Sequence, residues 1–456
     1  MKRARQLIAG LLAVIPAVLF QAVSADAQVL RFIRDAEIES LLNDYAKPIF
    51  QAAGVGANRI SMRIVNDKSF NAFVLDGRNV FINSGAIMQA ETPNEIIGVI
   101  AHETGHIAGG HLAALRNKIE RDVSRNLLMK VLGIGALIAA GASGSSQGKE
   151  IGSAVGQGLV LGGDGVMQRS ILAYQQVQES SADQAGVAFL TAAHESANGM
   201  IKTFERFAEQ ELFSDQLKDP YARSHPVATT RLNQLKVLAQ RSPYFSVTDP
   251  PELQLRHDLV RAKLHGYLDG PQRVGNRYPS SDDSLPAQYA RAIAAAEGSS
   301  FEDALPKVDA LLAAKPGNPY FWELKGDLFF KKGDASGSIE FYRKALKLAP
   351  QQNLLRISLA QAMVTAGDKS NVDEVIALLK KALVAEDNPQ GYRQLANAYS
   401  QKGDDPSAYL AAAKAYLLEG NVKDAKSFAR RAQASFKQGS PEWIKADDII
   451  SLEEPS

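Results

Sequence analysis

Thr92-Pro93-Asn94-Glu95-Ile96-Ile97-Gly98-Val99-Ile100-Ala101-His102-Glu103-Thr104-Gly105-His106, running on to His111, joins a helix start, an apolar interior and three polar groups in one stretch. Thr92 with Glu95 three residues on reads as a capping box, and Pro93 falls at the first helical position, where a missing N–H costs nothing. Ile96, Ile97, Val99, Ile100 and Ala101 leave hardly a polar side, so the helix is expected to be buried. Polar groups in a buried helix need partners. His102 and His106, four apart, project two imidazoles from one face at a separation that suits a tetrahedral zinc, and Glu103 is placed to take a proton from a water at that metal.

The chain has 456 residues, 45% hydrophobic and 22% charged, which allows two or three domains. It contains no cysteine, so disulfides and thiolate ligands are excluded and metal must be held by His, Asp or Glu. Lys2, Arg3 and Arg5, the apolar run from Leu7 to Phe20 and Ala25-Asp26-Ala27 read as a signal peptide spanning residues 1–27, cleaved before Gln28. Gly10 and Pro16 break the run, which argues against an uncleaved anchor. Cleavage removes Lys2, Arg3, Arg5 and Asp26, leaving 48 basic against 49 acidic residues and nothing that suggests nucleic acid as a partner. The expected location is the periplasm.

Around the zinc-type helix, 35–53 reads as an amphipathic helix through Ile38, Leu41, Leu42, Tyr45 and Ile49. Ile60, Met62 and Ile64 alternate with Ser61, Arg63 and Val65 as a half-buried strand. Asn71–Leu75 and Arg78–Asn83, joined by Asp76-Gly77, predict a hairpin with a type I′ turn, whose edge could hold an extended peptide or be plain structure. Residues 127–165 are Gly-rich and apolar; Leu127–Ala142 is short for a membrane span. A core helix with a flexible loop is expected there, with peripheral membrane contact or a flap as alternatives.

Val166–Leu190 is helical by period and puts Glu179 and Asp183 on one face. Two histidines need a third protein ligand, which Glu179 could supply while Asp183 orients a histidine; two solvated carboxylates are the plainer alternative. His111 is one residue early for the third histidine of H-E-x-x-H-x-x-G-x-x-H, where Leu112 stands, and a helix continuing to it would turn it away from His102 and His106. It is rejected as a ligand. Ser196–Leu212 predicts another helix, followed by a loop with Tyr221 and Ser224-His225-Pro226 and a helix starting near Val227 that carries Arg231. Prolines across 243–286 mark a linker between a domain at 28–242 and one at 287–456. In the latter, Pro316 and Pro350, Gly326 and Ala360, and Gly333 and Gly367 are each 34 apart, the tetratricopeptide (TPR) period, with room for about four or five units in an α-solenoid.

With these residues on the page, the chain resembles the gluzincin metalloproteases related to CAAX prenyl protease and HtpX. Within them it is most similar to the soluble periplasmic branch with C-terminal TPR repeats, the β-barrel assembly-enhancing type. The resemblance rests on His102-Glu103-Thr104-Gly105-His106, Glu179-Ser180-Ser181-Ala182-Asp183, Asn71-Ala72-Phe73 and Ser224-His225-Pro226 with Arg231, and covers nearly everything after residue 27. It implies a mainly α fold, a gluzincin-type domain with a small β-sheet beside the zinc helix and a TPR solenoid behind it. By it, one Zn2+ is held by His102, His106 and Glu179, Glu103 is the general base and Asp183 supports a ligand. Asn71, Ala72 and Phe73 line the substrate cleft. His225 is implied as a fourth ligand that gates the site; a role for His225 or Arg231 in stabilising the oxyanion is the competing version.

The expected function is a periplasmic zinc endopeptidase, with chaperone-like activity, that degrades misfolded or stalled outer-membrane proteins and docks through its TPR domain onto the β-barrel assembly machinery. The rival is a TPR-based assembly chaperone or adaptor whose zinc is structural or capped. Glu103 argues against the rival, since a structural zinc has no use for a base.

Overall fold

A computed structural model of the chain describes residues 31–453 except 57–59, 76, 123, 125–169, 172, 210–219, 226–228, 299 and 386. The stretch 1–27, expected to be a signal peptide, the Gly-rich 127–165 and Pro226 therefore lie outside the described residues. The fold is mainly helical, with a small sheet near the N-terminus and a run of helix pairs toward the C-terminus. Among the described residues, no helix is long and apolar enough to cross a membrane.

The sheet holds β1 (Phe32–Ile33), β2 (Ser61–Val65), β3 (Ala72–Val74) and β4 (Asn79–Asn83) in the order β1-β2-β4-β3. β2 and β4 run parallel; β1 pairs with β2, and β3 with β4, antiparallel, which leaves β3 at an edge. The sequence reading correctly placed the β3–β4 hairpin but not its turn. Val74 is opposite Val80, so the connection is longer than the two residues a type I′ turn allows, with Gly77 at φ +70°. Phe73 and Phe81 stack across the pair with centroids 5.1 Å apart.

Helix α1 (Ala36–Ala52) starts on Asp35, whose carboxylate accepts the N–H groups of Glu37 and Ile38. After α2 (Ser84–Gln89) comes α3 (Pro93–Ala108), the helix of the opening stretch. Its apolar residues are buried as expected, and Pro93 stands at its start. The capping box does not form. Thr92 makes no side-chain cap, and the fully buried Glu95 accepts from the Glu91 N–H and from Arg206 instead. A carboxylate taken out of water is drawn to a cation before it is drawn to a neutral amide.

Helices α4 (111–122) and α5 (173–192) flank the centre, followed by α6 (Asn198–Ala208), α7 (Pro220–Ser224) and α8 (Thr229–Ala239). Glycines let these helices lie close to α3. A Cβ on Gly105 would stand 2.7 Å from Ala182 O of α5, and one on Gly98 2.7 Å from Met200 N of α6. The strand and helix cores merge into one cluster that includes Ile64, Ile82, Ile100, Leu190 and Phe204.

The proline-marked stretch 243–286 holds more than a connection. It contains α9 (Pro251–Leu268) and α10 (Pro271–Arg277), each with its proline at the first turn. Val260 and Leu264 of α9 join the N-terminal core, while Leu259 joins the first repeat cluster. Helix pairs follow: α11 (Leu285–Gly298) with α12 (Phe301–Ala314), α13 (Pro319–Lys331) with α14 (Ala335–Leu348), α15 (Asn353–Ala366) with α16 (Val372–Leu383), α17 (Pro389–Lys402) with α18 (Asp405–Leu418), and α19 (Val422–Gln433) with α20 (Pro441–Ile450). Leu285, Pro319 and Asn353 open pairs 34 residues apart, and Gly326 makes room for the Tyr342 ring, which a Cβ would meet at 2.8 Å.

Candidate metal centre

Helix α3 brings His102, Glu103 and His106 to its crossing with α5, where Glu179 and Asp183 sit one turn apart. Tight packing at Gly105 and Ala182 lets the short carboxylate side chains reach the imidazoles. His102 Nε2 lies 3.4 Å from Glu179 Oε2, and His106 Nε2 lies 3.3 Å from Glu179 Oε1. His225, directly after α7, places Nδ1 3.0 Å from both Glu179 oxygens and 3.3 Å from His102 Nε2. His102, His106, Glu179 and His225 thus form a group whose donor atoms lie within 4.8 Å of one another.

A second ring of contacts holds these groups. Asp183 Oδ1 is 2.9 Å from His102 Nδ1, which leaves Nε2 turned to the cluster. Arg231, on α8, donates through Nε to Asp183 Oδ2 at 2.5 Å and through its terminal nitrogen to Oδ1 at 2.8 Å, with Glu179 Oε2 at 3.1 Å. Its guanidinium lies over the Phe204 ring at 5.0 Å, and Phe204 packs edge-on to His102. Burial opposes the charge on His102, but hydrogen bonds to Asp183 and Glu179 raise its pKa to about 9. Burial dominates at His106 and takes its pKa down to about 4. Glu179 is desolvated too, yet His225 and the hydrogen bonds of His102 and His106 hold it far below the carboxylate range. Burial pushes Glu103 up.

The donor set suits a metal. Three imidazoles and a carboxylate converge in a buried pocket, and a cation would satisfy donors that otherwise crowd one another. Glu103 is 1% exposed, and among the described residues its Oε1 has no hydrogen-bond partner; His225 Nε2 is 3.5 Å away. A cleft of about 360 Å³ opens beside it, lined by Phe73, Val74, Glu103, His106, His111 and His225 among others. Of the three residues expected to line a substrate cleft, Phe73 lines this cavity; Ala72 is fully buried in the core, and the Asn71 main-chain carbonyl accepts the Asn83 N–H.

Two residues near the centre were read differently in the sequence: Tyr221 was left in a loop without a role, and His111 was rejected as a ligand and turned away from the centre. Tyr221 precedes His225 by four residues, the helical spacing that could have flagged it; its ring lies 4.6 Å from the His225 ring and its buried hydroxyl has no hydrogen-bond partner among the described residues. His111 was expected to point away because α3 was expected to run through it. Instead α3 ends at Gly109, Gly110 takes φ +61°, and the His111 ring returns to His106 with the two Nδ1 atoms 3.0 Å apart.

Residues 33–239 match the family described as Peptidase family M48, and residues 289–353 match a Tetratricopeptide repeat family. The four-donor group lies inside the stretch similar to peptidase family M48, with tetratricopeptide-like helices behind it, and together these mark a metalloprotease. In particular, the chain is 24% identical over 431 residues to the beta-barrel assembly-enhancing protease of Escherichia coli O157:H7, covering 92% of this chain and 83% of the relative. The protein of that name from Yersinia pestis is 23% identical over 435 residues, with 90% and 83% covered. Metalloprotease LoiP of Escherichia coli (strain K12) is 27% identical over 231 residues, 48% of this chain and 83% of the relative.

Proposed function

We propose that this metalloprotease is a periplasmic zinc endopeptidase that acts on misfolded or stalled outer-membrane proteins during β-barrel assembly. The observation that carries the chemistry is Glu103, a buried carboxylate whose Oε1 takes no hydrogen bond among the described residues and has only His225 Nε2 at 3.5 Å, at the edge of a four-donor cluster that opens on a cleft. His102, His106 and Glu179 would hold one Zn2+, which when bound supplies Lewis acidity toward the scissile carbonyl and the attacking water. Glu103 takes the proton of that water at its free oxygen and returns it to the leaving amine. Asp183 and Arg231 keep His102 fixed. The β3 edge offers backbone groups to an extended peptide beside Phe73.

The names of the relatives support a role in β-barrel assembly, and the signal-like residues 1–27 support the periplasm. The TPR helices supply the surface for docking onto the assembly machinery or the substrate. His225 reaches Glu179 at 3.0 Å and stands 3.5 Å from Glu103, where it covers the space a substrate carbonyl needs. In this reading it is a plug. The test is cleavage of an unfolded outer-membrane protein by the zinc-loaded chain. His225→Ala is expected to cut faster than wild type, with Glu103→Gln as the inactive blank. Slower cutting by His225→Ala would assign His225 to the catalytic apparatus and end the plug reading.

A further inference from the structure

His111 belongs to none of the roles above, yet the chain is shaped to bring it to the centre. Gly109 ends α3, Gly110 turns the backbone at φ +61°, and the His111 ring folds back over Gly109. A Cβ at 109 would lie 2.3 Å from His111 Nε2, so the ring occupies space that only glycine leaves free. The backbone is pinned from the other side, because the buried Gln178, next to Glu179, donates to the His111 carbonyl at 3.1 Å. The ring stands edge-on to His106 with centroids 5.0 Å apart, and its Nδ1 lies 3.0 Å from His106 Nδ1.

An imidazole that ligates through Nε2 carries its proton on Nδ1, and that proton needs an acceptor. His102 has Asp183 for this purpose. Among the described residues, His106 Nδ1 meets no carboxylate and faces His111. We propose that His111 is a positioning residue for the metal: its Nδ1 accepts the Nδ1–H of His106 and fixes the ring with Nε2 turned to Glu179. The inference rests on the metal reading above. It makes the two ligand histidines unequal. His102 is tied to Asp183, which is paired with Arg231, while His106 is tied to a second imidazole on the wall of the cleft.

The test is zinc affinity of the full chain, by competition with a chromogenic chelator at fixed pH, alongside the melting temperature of the zinc-free protein. His111→Leu removes the acceptor and is expected to weaken zinc binding about 10- to 100-fold. His111→Gln offers an amide oxygen in its place and is expected to stay within about threefold of wild type. Both zinc-free variants are expected to melt as wild type does. Wild-type affinity in His111→Leu overturns the inference alone, and so does an equal loss in both variants with a lowered zinc-free melting temperature. A wild type that binds no zinc removes the metal reading and this inference with it.

Discussion

Asp183 carries two tasks at once: it accepts from Arg231 through both oxygens and faces His102 Nδ1 at 2.9 Å. Removing its charge strands a buried guanidinium, so Asp183→Asn is expected to lower stability by about 3–5 kcal/mol in urea unfolding. Because His102 is released as well, metal affinity is expected to fall about 10- to 100-fold. A loss under about 1 kcal/mol would mean that the pair is not an essential tie. At this scale the sequence was readable where residues are local. His102, Glu103 and His106 follow from helical spacing, as does the shared face of Glu179 and Asp183. The Arg231 fork closes over 48 residues and His225 approaches over 46, and spacing along the chain says nothing about such distances. His111 was misread because its position was reckoned on a helix that two glycines end.

Helix α3 works because its neighbours come close enough for short side chains to meet. Gly105→Ala would put a methyl 2.7 Å from Ala182 O and must move α3 or α5, so a lower melting temperature and weaker metal binding are expected together. Gly317, with open space around its Cβ position, serves as control, and Gly317→Ala is expected within about 0.5 kcal/mol of wild type. Equal melting curves for the two variants would contradict this account of the crossing. Elements were legible where one periodicity ruled: α1, β2 and α3 fall where apolar spacing put them, and helix pairs open at the 34-residue interval the repeat signalled. Their ends were less so. Glu95 left the capping box for Arg206, and the β3–β4 connection outgrew its Asp76-Gly77 signal, because both are decided by tertiary partners rather than by neighbours in sequence.

On the scale of the whole molecule, α9 is the joint between peptidase and repeats, since its side chains enter both cores. Its buried His257 faces Tyr45 Oη at 3.1 Å and the Ala90 carbonyl at 3.0 Å. Burial takes its pKa from 6.5 down to about 4 despite the Ala90 hydrogen bond. The unfolded chain then binds a proton between about pH 6.5 and 4 that the folded chain refuses, so this residue's stabilisation is present at neutral pH and lost on acidification. His257→Gln is expected to cost about 2 kcal/mol more at pH 7 than at pH 5 in urea unfolding. A penalty that is the same at both pH values would show that His257 is not held neutral. Lys263, one turn and a half further on, meets Asp35 at 2.6 Å and Glu37 at 3.3 Å, with Glu323 of α13 at 3.9 Å, so the same helix ties the N-terminus to the repeats through charge. None of this joint could be read from the prolines of 243–286, which signalled a break in pattern and not the helix that bridges it.

The central claim is that the four-donor cluster is a working zinc site with Glu103 as its base. The most direct measurement is zinc content and peptide cleavage of the purified full chain, wild type beside Glu103→Gln, before and after chelation. Expected are one zinc per chain in both proteins, cleavage by wild type that is lost on chelation and restored by zinc, and a loss of about 100-fold or more in Glu103→Gln. Undiminished cleavage by Glu103→Gln, or by the chelated wild type, would contradict the claim.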